Sequence, residues 1–134
     1  MHITLETDYA IRILVFLLQQ DKRVDANKIS EETEVTLRFA LKILRKLVAA
    51  GFVKSFKGMK GGYEFAKESP SELSLYDVIV AIEGNCFLSR CLDETVGCNR
   101  GQTSCCKVRK EFCRISDILC QELKATTFEK FVEA

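Results

Sequence analysis

Seven cysteines occur in 134 residues, and six of them fall between Cys86 and Cys113, so the reactive chemistry of this chain is concentrated in its C-terminal half. Cys91, Cys98 and the adjacent pair Cys105 and Cys106 recur at gaps of six residues, with Gly97 and Gly101 between them to let a loop wrap a centre. Soft thiolates select iron-sulfur clusters, Zn or Cu(I), and three or four of them from one loop can hold such a centre. Four thiolates also suit a tetrahedral structural Zn site. The usual pair of closely spaced cysteine couples is missing here, which ranks Zn second. Cys113 and Cys120 follow Cys106 at intervals of seven and so share one face of a helix. Buried cysteine often behaves as a small apolar residue, and these two are read as packing.

The second concentration of chemistry is basic. The formal net charge is +1, but residues 1–67 hold 12 Lys/Arg against 8 Asp/Glu and residues 68–134 hold 8 against 11. The window from Thr36 to Lys60 contains Arg38, Lys42, Arg45, Lys46, Lys54, Lys57 and Lys60 and no acid. Any one of these charges is as readily a solvated surface residue, but seven without an intervening acid form a surface for a polyanion. A helix in the DNA major groove reads base edges from its first turns, while flanking Lys and Arg hold phosphates. Thr36 and Arg38 are the candidates for base contacts, Lys42 and Arg45 for phosphates, and Phe39 completes the helix surface. Lys57 and Lys60 belong to a Gly-containing tip that can follow the backbone or enter a minor groove.

The elements that must position these residues follow from periodicity and punctuation. Leu5 to Leu18 places Leu5, Tyr9, Ile13, Phe16 and Leu17 at helical spacing, with Glu6 and Asp8 where the helix dipole favours negative charge. Asp25 and Asn27 are candidate caps for a short helix through Ile29 to Thr33, followed by a turn at Thr33-Glu34-Val35. Thr36 caps a third helix, with Leu37, Leu41, Ile43, Leu44 and Leu47 as its apolar contacts and Gly51 at its end. Two short helices joined by a turn, the second one basic, form a helix-turn-helix pattern.

After Gly51 the period changes to two. Phe52 to Phe56 and Tyr63 to Phe65 alternate as strands around the loop Lys57 to Gly62, a hairpin with a basic tip in the position of a wing. Pro70 and Ser74 lead into a helix from Leu75 to Glu83, ended by Gly84. The cysteine loop spans 85–104. From Lys107 to Lys124, the residues Val108, Phe112, Ile115, Leu119 and Leu123 form one apolar stripe that needs a partner, and a homodimer is expected. The fold class is mainly α: a winged helix-turn-helix over 1–67, then the cysteine loop and a long dimerisation helix over 68–134, packed with it as one unit.

Composition bounds the function. The 47% hydrophobic content supports one core, and no apolar run approaches the roughly 20 residues that span a bilayer. With no basic n-region at the Met1 end, a soluble cytoplasmic protein without a membrane partner is expected, and its cysteines read as a metal or redox site before a disulfide framework. There is no Walker or dinucleotide glycine loop and no HExxH, and His2 is the only histidine, leaving no base beside a cysteine nucleophile. An enzyme with a small-molecule substrate is therefore not expected. A small iron-sulfur electron carrier would leave the basic window and the wing without a purpose.

Several short motifs occur in a specific order: Thr7-Asp8-Tyr9-Ala10-Ile11-Arg12, Leu41-Lys42-Ile43-Leu44, Ala50-Gly51-Phe52-Val53, then Lys57-Gly58 and Gly61-Gly62-Tyr63. Ile82-Glu83-Gly84 precedes the cysteine loop, and Thr126-Thr127 lies near the end. Together they resemble the Rrf2-type family of bacterial winged-helix regulators, whose branches include the iron-sulfur regulator IscR, the nitric-oxide sensor NsrR and the cysteine-metabolism regulator CymR. The resemblance runs over nearly the whole chain. It implies a cytoplasmic homodimeric repressor bound to a double-stranded DNA operator.

Members of this family hold an iron-sulfur cluster with three loop cysteines, and the resemblance carries these onto Cys91, Cys98 and Cys106. Cys106 is preferred to Cys105 because Cys106, Arg109 and Phe112 have the spacing of the family's cysteine, ligand position and aromatic. Arg109 stands where the IscR pattern has a histidine, and a guanidinium stays protonated and cannot ligate. The NsrR-like branch implies instead an acid from the first helix of the other subunit, here Asp8, with Cys86 or Cys105 as alternates. A first-turn acid that merely stabilises a helix dipole is the competing reading of Asp8. The implied ligand set suits a four-iron four-sulfur centre better than a two-iron one, for sensing redox state, nitric oxide or iron-sulfur status. The resemblance also allows a CymR-like member, free of metal and controlled by thiol chemistry or a protein partner.

Overall fold

Side-chain caps start each of the longer helices. Thr4 Oγ1 accepts the Thr7 amide at 3.2 Å and opens α1 (Leu5–Leu18); Asp25 Oδ1 accepts the Lys28 amide at 2.9 Å and opens α2 (Ala26–Thr33). Thr36 Oγ1 accepts the Phe39 amide at 3.4 Å and opens α3 (Leu37–Ala49). Each such cap satisfies an otherwise orphaned amide and contributes about 1 kcal/mol. Of the two candidate caps for the second helix, Asp25 is the one used, and the helix begins before Ile29. The computed structural model describes residues 2–97, 99–101 and 106–132.

The α2–α3 turn is made by Glu34 in the left-handed conformation at φ 56°, and Gly51 at φ 82° follows α3. The chain then forms β1 (Val53–Phe56) and β2 (Gly62–Phe65), an antiparallel pair in the register Val53 to Phe65 and Phe56 to Gly62. Val24, just before α2, adds a short bridge to this hairpin through reciprocal bonds with Tyr63 at 3.0 and 2.8 Å. α4 (Leu75–Glu83) opens with a reciprocal box between Ser74 and Asp77 and closes at Gly84, φ 86°. α5 (Lys107–Ala125) has Cys106 as its cap residue.

One buried cluster unites these elements: Ala10, Ile13, Leu14 and Leu17 of α1, Ile29 of α2, Ala40, Ile43, Leu44 and Leu47 of α3, Val53, Leu73, Val78 and Phe128. Phe128 follows α5 and is fully buried, and its amide donates to the Leu73 carbonyl at 2.9 Å. The end of the chain is thereby tied back to the start of α4. Among the described residues no helix is long and apolar enough to cross a membrane. The observed architecture is the expected one, mainly helical with a small hairpin wing and a long last helix.

Three expectations about helix faces require correction. Leu5 is 60% exposed, and α1 buries Thr7, Ala10, Ile13, Leu14 and Leu17 instead. Leu37 and Leu41 are exposed, because the buried stripe of α3 runs through Ala40, Ile43, Leu44 and Leu47, roughly 100° away on a 3.6-residue helix. On α5 only Val108, Phe112 and Ile115 of the expected stripe are exposed, joined by Ile118, while Leu119 and Leu123 are half-buried.

Candidate nucleic-acid interface and cysteine site

α3 turns a basic face to solvent. Arg38, Lys42 and Arg45 are exposed at successive helical positions, and with Thr36, Leu37, Phe39 and Leu41 they line one surface hollow. Exposed Leu37 and Leu41 give this surface apolar contacts as well as charge, a combination that suits thymine methyl groups beside phosphates. Phe39 is half-buried, its ring edge-to-face with Tyr9 of α1 at 5.5 Å, and the Lys42 ammonium lies 5.6 Å from its centroid. It therefore joins α1 to the base of the reading surface.

Glu6 of α1 reaches across to the same helix. Its Oε1 lies 2.7 Å from Lys46 Nζ and 4.0 Å from Lys42 Nζ. The oxygen is buried and forms no aligned hydrogen bond, so the contact with Lys46 is an ion pair without good directionality. Sequence reading placed Lys46 in the basic window; the structure shows that charge already partly neutralised from within. Lys42 and Arg45 are left facing outward.

The wing is held from an unexpected direction. The Arg23 guanidinium stacks 3.3 Å from the Phe56 ring centroid, Nη1 donates to the Lys60 carbonyl at 3.4 Å, and Nε lies 3.8 Å from Glu64 Oε2. Lys57, Met59 and Lys60 project at the exposed tip. Lys22 and Lys28 share a surface hollow with Lys60 and extend the basic patch beyond the hairpin. Arg23 carried no signal in sequence, because its partners lie 33 or more residues away.

The cysteine region has two parts. Cys106 Sγ accepts the Arg109 amide at 3.4 Å at the start of α5, and Arg109 Nε donates to the Cys91 carbonyl at 3.2 Å. One residue thus ties the Cys91 backbone to the first turn of α5, where Cys106 is the cap. Arg109 acts as the clasp of the loop. Ser89 Oγ lies 3.2 Å from Cys91 Sγ. Cys98 and Cys105 fall outside the described residues.

Asp8 is half-buried on α1, in an ion pair with Arg12 at 3.3 Å, and Arg12 also donates to the Thr33 carbonyl at 2.9 Å. Among the described residues no three Cys, His, Asp or Glu side chains of one chain are gathered around a common point. Asp8, Cys91 and Cys106 are therefore not brought together within a single subunit. The donor chemistry of the loop, soft sulfur at a helix N-terminus beside a fixed cation, fits an iron-sulfur centre.

The second part involves Cys86 and Cys120. Cys86 is buried just past Gly84, and the half-buried Cys120 on α5 donates from Sγ to the Cys86 carbonyl at 3.4 Å. Both line a cavity of about 460 Å³ between the end of α4 and α5, with Cys113 at its margin. Burial, then the neighbouring Cys120 thiol and the Glu83 charge, pushes the Cys86 thiol up to about 11. Cys86 faces α5 here, whereas Cys91 and Cys106 are not among the residues lining this cavity. Glu83, next to this pair, accepts from the buried Thr7 hydroxyl at 2.7 Å, linking the exit of α4 to α1.

A two-helix turn with an exposed basic second helix, flanked by a basic hairpin, defines a winged helix-turn-helix regulator of transcription. The Rrf2 family model, described as an iron-dependent transcriptional regulator, matches residues 3–134, and the chain belongs to that family. It is similar to the HTH-type transcriptional regulator NsrR of Shouchella clausii, 28% identical over 127 residues, covering 93% of this chain and 79% of that protein. The NsrR of Halalkalibacterium halodurans is likewise 28% identical, covering 93% and 81%. Among solved structures, CymR of B. subtilis superposes with a TM-score of 0.79 at 22% identity, covering 98% of this chain and 96% of that one. T. potens IscR gives 0.74 at 18% identity, covering 96% and 84%. These similarities put the chain among transcriptional regulators rather than enzymes.

Proposed function

We propose that this regulator is a homodimer that binds a specific DNA operator and adjusts its affinity through an iron-sulfur cluster held by Cys91, Cys98 and Cys106, with Asp8 of the partner subunit as fourth ligand. The observation that carries the DNA-binding reading is the outward face of α3, where Arg38, Lys42 and Arg45 are exposed together, Arg38 and Arg45 without an acidic partner among the described ion pairs and Lys42 only 4.0 Å from Glu6 at its edge. Thr36 and Arg38 read bases, Lys42 and Arg45 hold phosphates, and Lys57 and Lys60 extend the grip through the wing. Residues 1–67 supply these contacts, and residues 68–134 supply the sensor loop and the dimer helix.

The cluster reading is supported by the Arg109 clasp, which fixes Cys91 and Cys106 to one helix end, and by the family's description as iron-dependent. When bound, a four-iron four-sulfur cluster supplies a centre that oxygen, nitric oxide or iron shortage can destroy. The chain's own part is to couple that centre to α3. Asp8 lies on α1, and α1 reaches α3 through Glu6 and Lys46 and reaches α4 through Thr7 and Glu83. A ligand shifts an equilibrium only by its differential affinity for the two arrangements, with typical couplings of about 1 to 3 kcal/mol.

Air-free purification followed by iron and sulfide analysis and visible absorption tests the cofactor, and operator titration tests the coupling. Cys91→Ala, Cys98→Ala and Cys106→Ala are each expected to abolish the cluster and reproduce the operator affinity of the chemically stripped protein. Asp8→Ala is expected to leave a labile cluster. Stoichiometric Zn in place of iron and sulfide, or a triple cysteine variant with the intact protein's affinity and response to nitric oxide, rejects the mechanism.

A further inference from the structure

We propose that Cys86 and Cys120 form a dithiol modification site, separate from the loop cysteines, that closes to an intrachain disulfide when a hydroperoxide reaches the cavity between α4 and α5. The two residues are 34 positions apart in sequence, yet the Cys120 thiol donates to the Cys86 backbone at 3.4 Å and the two side chains face the same cavity. Neither thiol is used by the proposed cluster or by the DNA-reading surface. Packing alone accounts for a buried Cys86. It does not account for a second thiol brought within 3.4 Å of the Cys86 carbonyl in the wall of a shared cavity of about 460 Å³, a volume large enough to admit a peroxide molecule.

The two environments differ in a way that assigns the order of events. Both border the cavity, but Cys120 is half-buried whereas Cys86 is only 7% exposed, so Cys120 is the thiol that a peroxide meets first. The Cys120 sulfur attacks the peroxide O–O bond, forming an S–O bond, and the departing oxygen takes up the thiol proton and leaves as water. The Cys86 sulfur then attacks the Cys120 sulfenic acid. An S–S bond forms, the S–O bond breaks, and the oxygen leaves with the Cys86 proton as a second water. Two thiols lose two electrons and one hydrogen peroxide becomes two waters.

The site stands at a junction. Cys86 follows Gly84 at the end of α4, and Cys120 lies on α5, so the disulfide would close a ring around the whole cysteine loop. Cys113, two helical turns before Cys120 and exposed, is a built-in control for indiscriminate oxidation.

The test uses the full chain in which Cys91, Cys98, Cys105, Cys106 and Cys113 are replaced by Ser. After hydrogen peroxide treatment, alkylation and peptide mapping, both remaining thiols are expected to be lost together. A single linked pair of peptides should appear, within one chain, and dithiothreitol should restore both thiols. Adding Cys120→Ser should leave Cys86 alkylatable. The unsubstituted protein is mapped in parallel, so a misfolded variant leaves the question answerable. Peroxide that carries Cys120 to sulfinic acid while Cys86 remains alkylatable overturns the proposal. So does a link found only between chains or, in the unsubstituted protein, loss of Cys113 with Cys86 and Cys120 intact. Because the variant lacks the three loop ligands, its result is independent of the cluster reading.

Discussion

Thr36 ends the turn and starts α3; its hydroxyl oxygen accepts the Phe39 amide, which leaves its own O–H to donate, and Arg38 two residues on is exposed and reaches outward. Arg38 and Lys57 should consequently fail in different ways. Arg38→Ala is expected to cost about 1 to 3 kcal/mol on the operator and little on random DNA, relaxing preference at one base pair. Lys57→Ala should weaken binding to all sequences and reduce the salt slope by about 1. Titrations on specific and random DNA at several salt concentrations separate the two, and equal losses for Arg38→Ala would reverse these roles. Cys86 makes a prediction about pH. Its protonated form is favoured in the fold, so the unfolded chain releases this proton first as pH rises. Stability from this site is fully present below pH 9.0 and is lost on the way to about 11. Urea midpoints of the intact protein should fall more steeply across that window than those of Cys86→Ala.

Among the elements, the wing is the most constrained by backbone. Gly62 has φ 139°, and a Cβ placed there would lie 2.8 Å from the Val24 carbonyl oxygen, in the bridge that holds the hairpin to the segment before α2. Gly62→Ala should destabilise the protein by at least about 1 to 3 kcal/mol and weaken DNA binding of the folded fraction. Gly58→Ala meets open space and only the strain of φ 93°, so it should cost less. Denaturant titration of both variants checks the contrast. The same comparison shows what sequence conveys. Caps and breakers act within a few residues, so Thr36, Gly51, Ser74 and Gly84 marked the ends of α3 and α4 from local chemistry alone. Helix phase was harder, because Leu5, Leu37 and Leu41 are as apolar as their buried neighbours and only tertiary packing chooses the face. Contacts such as Arg23 with Phe56, Thr7 with Glu83 and Cys86 with Cys120 join distant positions and leave no periodic trace. The loop cysteines were legible as thiol chemistry by their spacing, and Arg109 was read as a residue that stays protonated, but its role as clasp required coordinates.

At the scale of the whole molecule, α5 is packed on one side only among the described residues. Its inner side meets α4 and carries Ser116 and Cys120, while Val108, Phe112, Ile115 and Ile118 remain 37–60% exposed on the other. Four large apolar side chains in three turns of one helix form the kind of contiguous patch that soluble proteins cover with a partner. The proposed homodimer would cover this patch with a second copy of α5 under two-fold symmetry and so set two α3 helices against two half-sites of an operator. Phe112→Glu with Ile115→Glu would bury four like charges at such an interface, two from each subunit, so the variant should sediment as a monomer. Its helical content should be retained, because neither residue belongs to the buried core. Affinity for a two-half-site operator should drop steeply while affinity for a single half-site changes little. If the unsubstituted protein sediments as a monomer at micromolar concentration, the exposed face of α5 serves some other partner and the dimer must be given up.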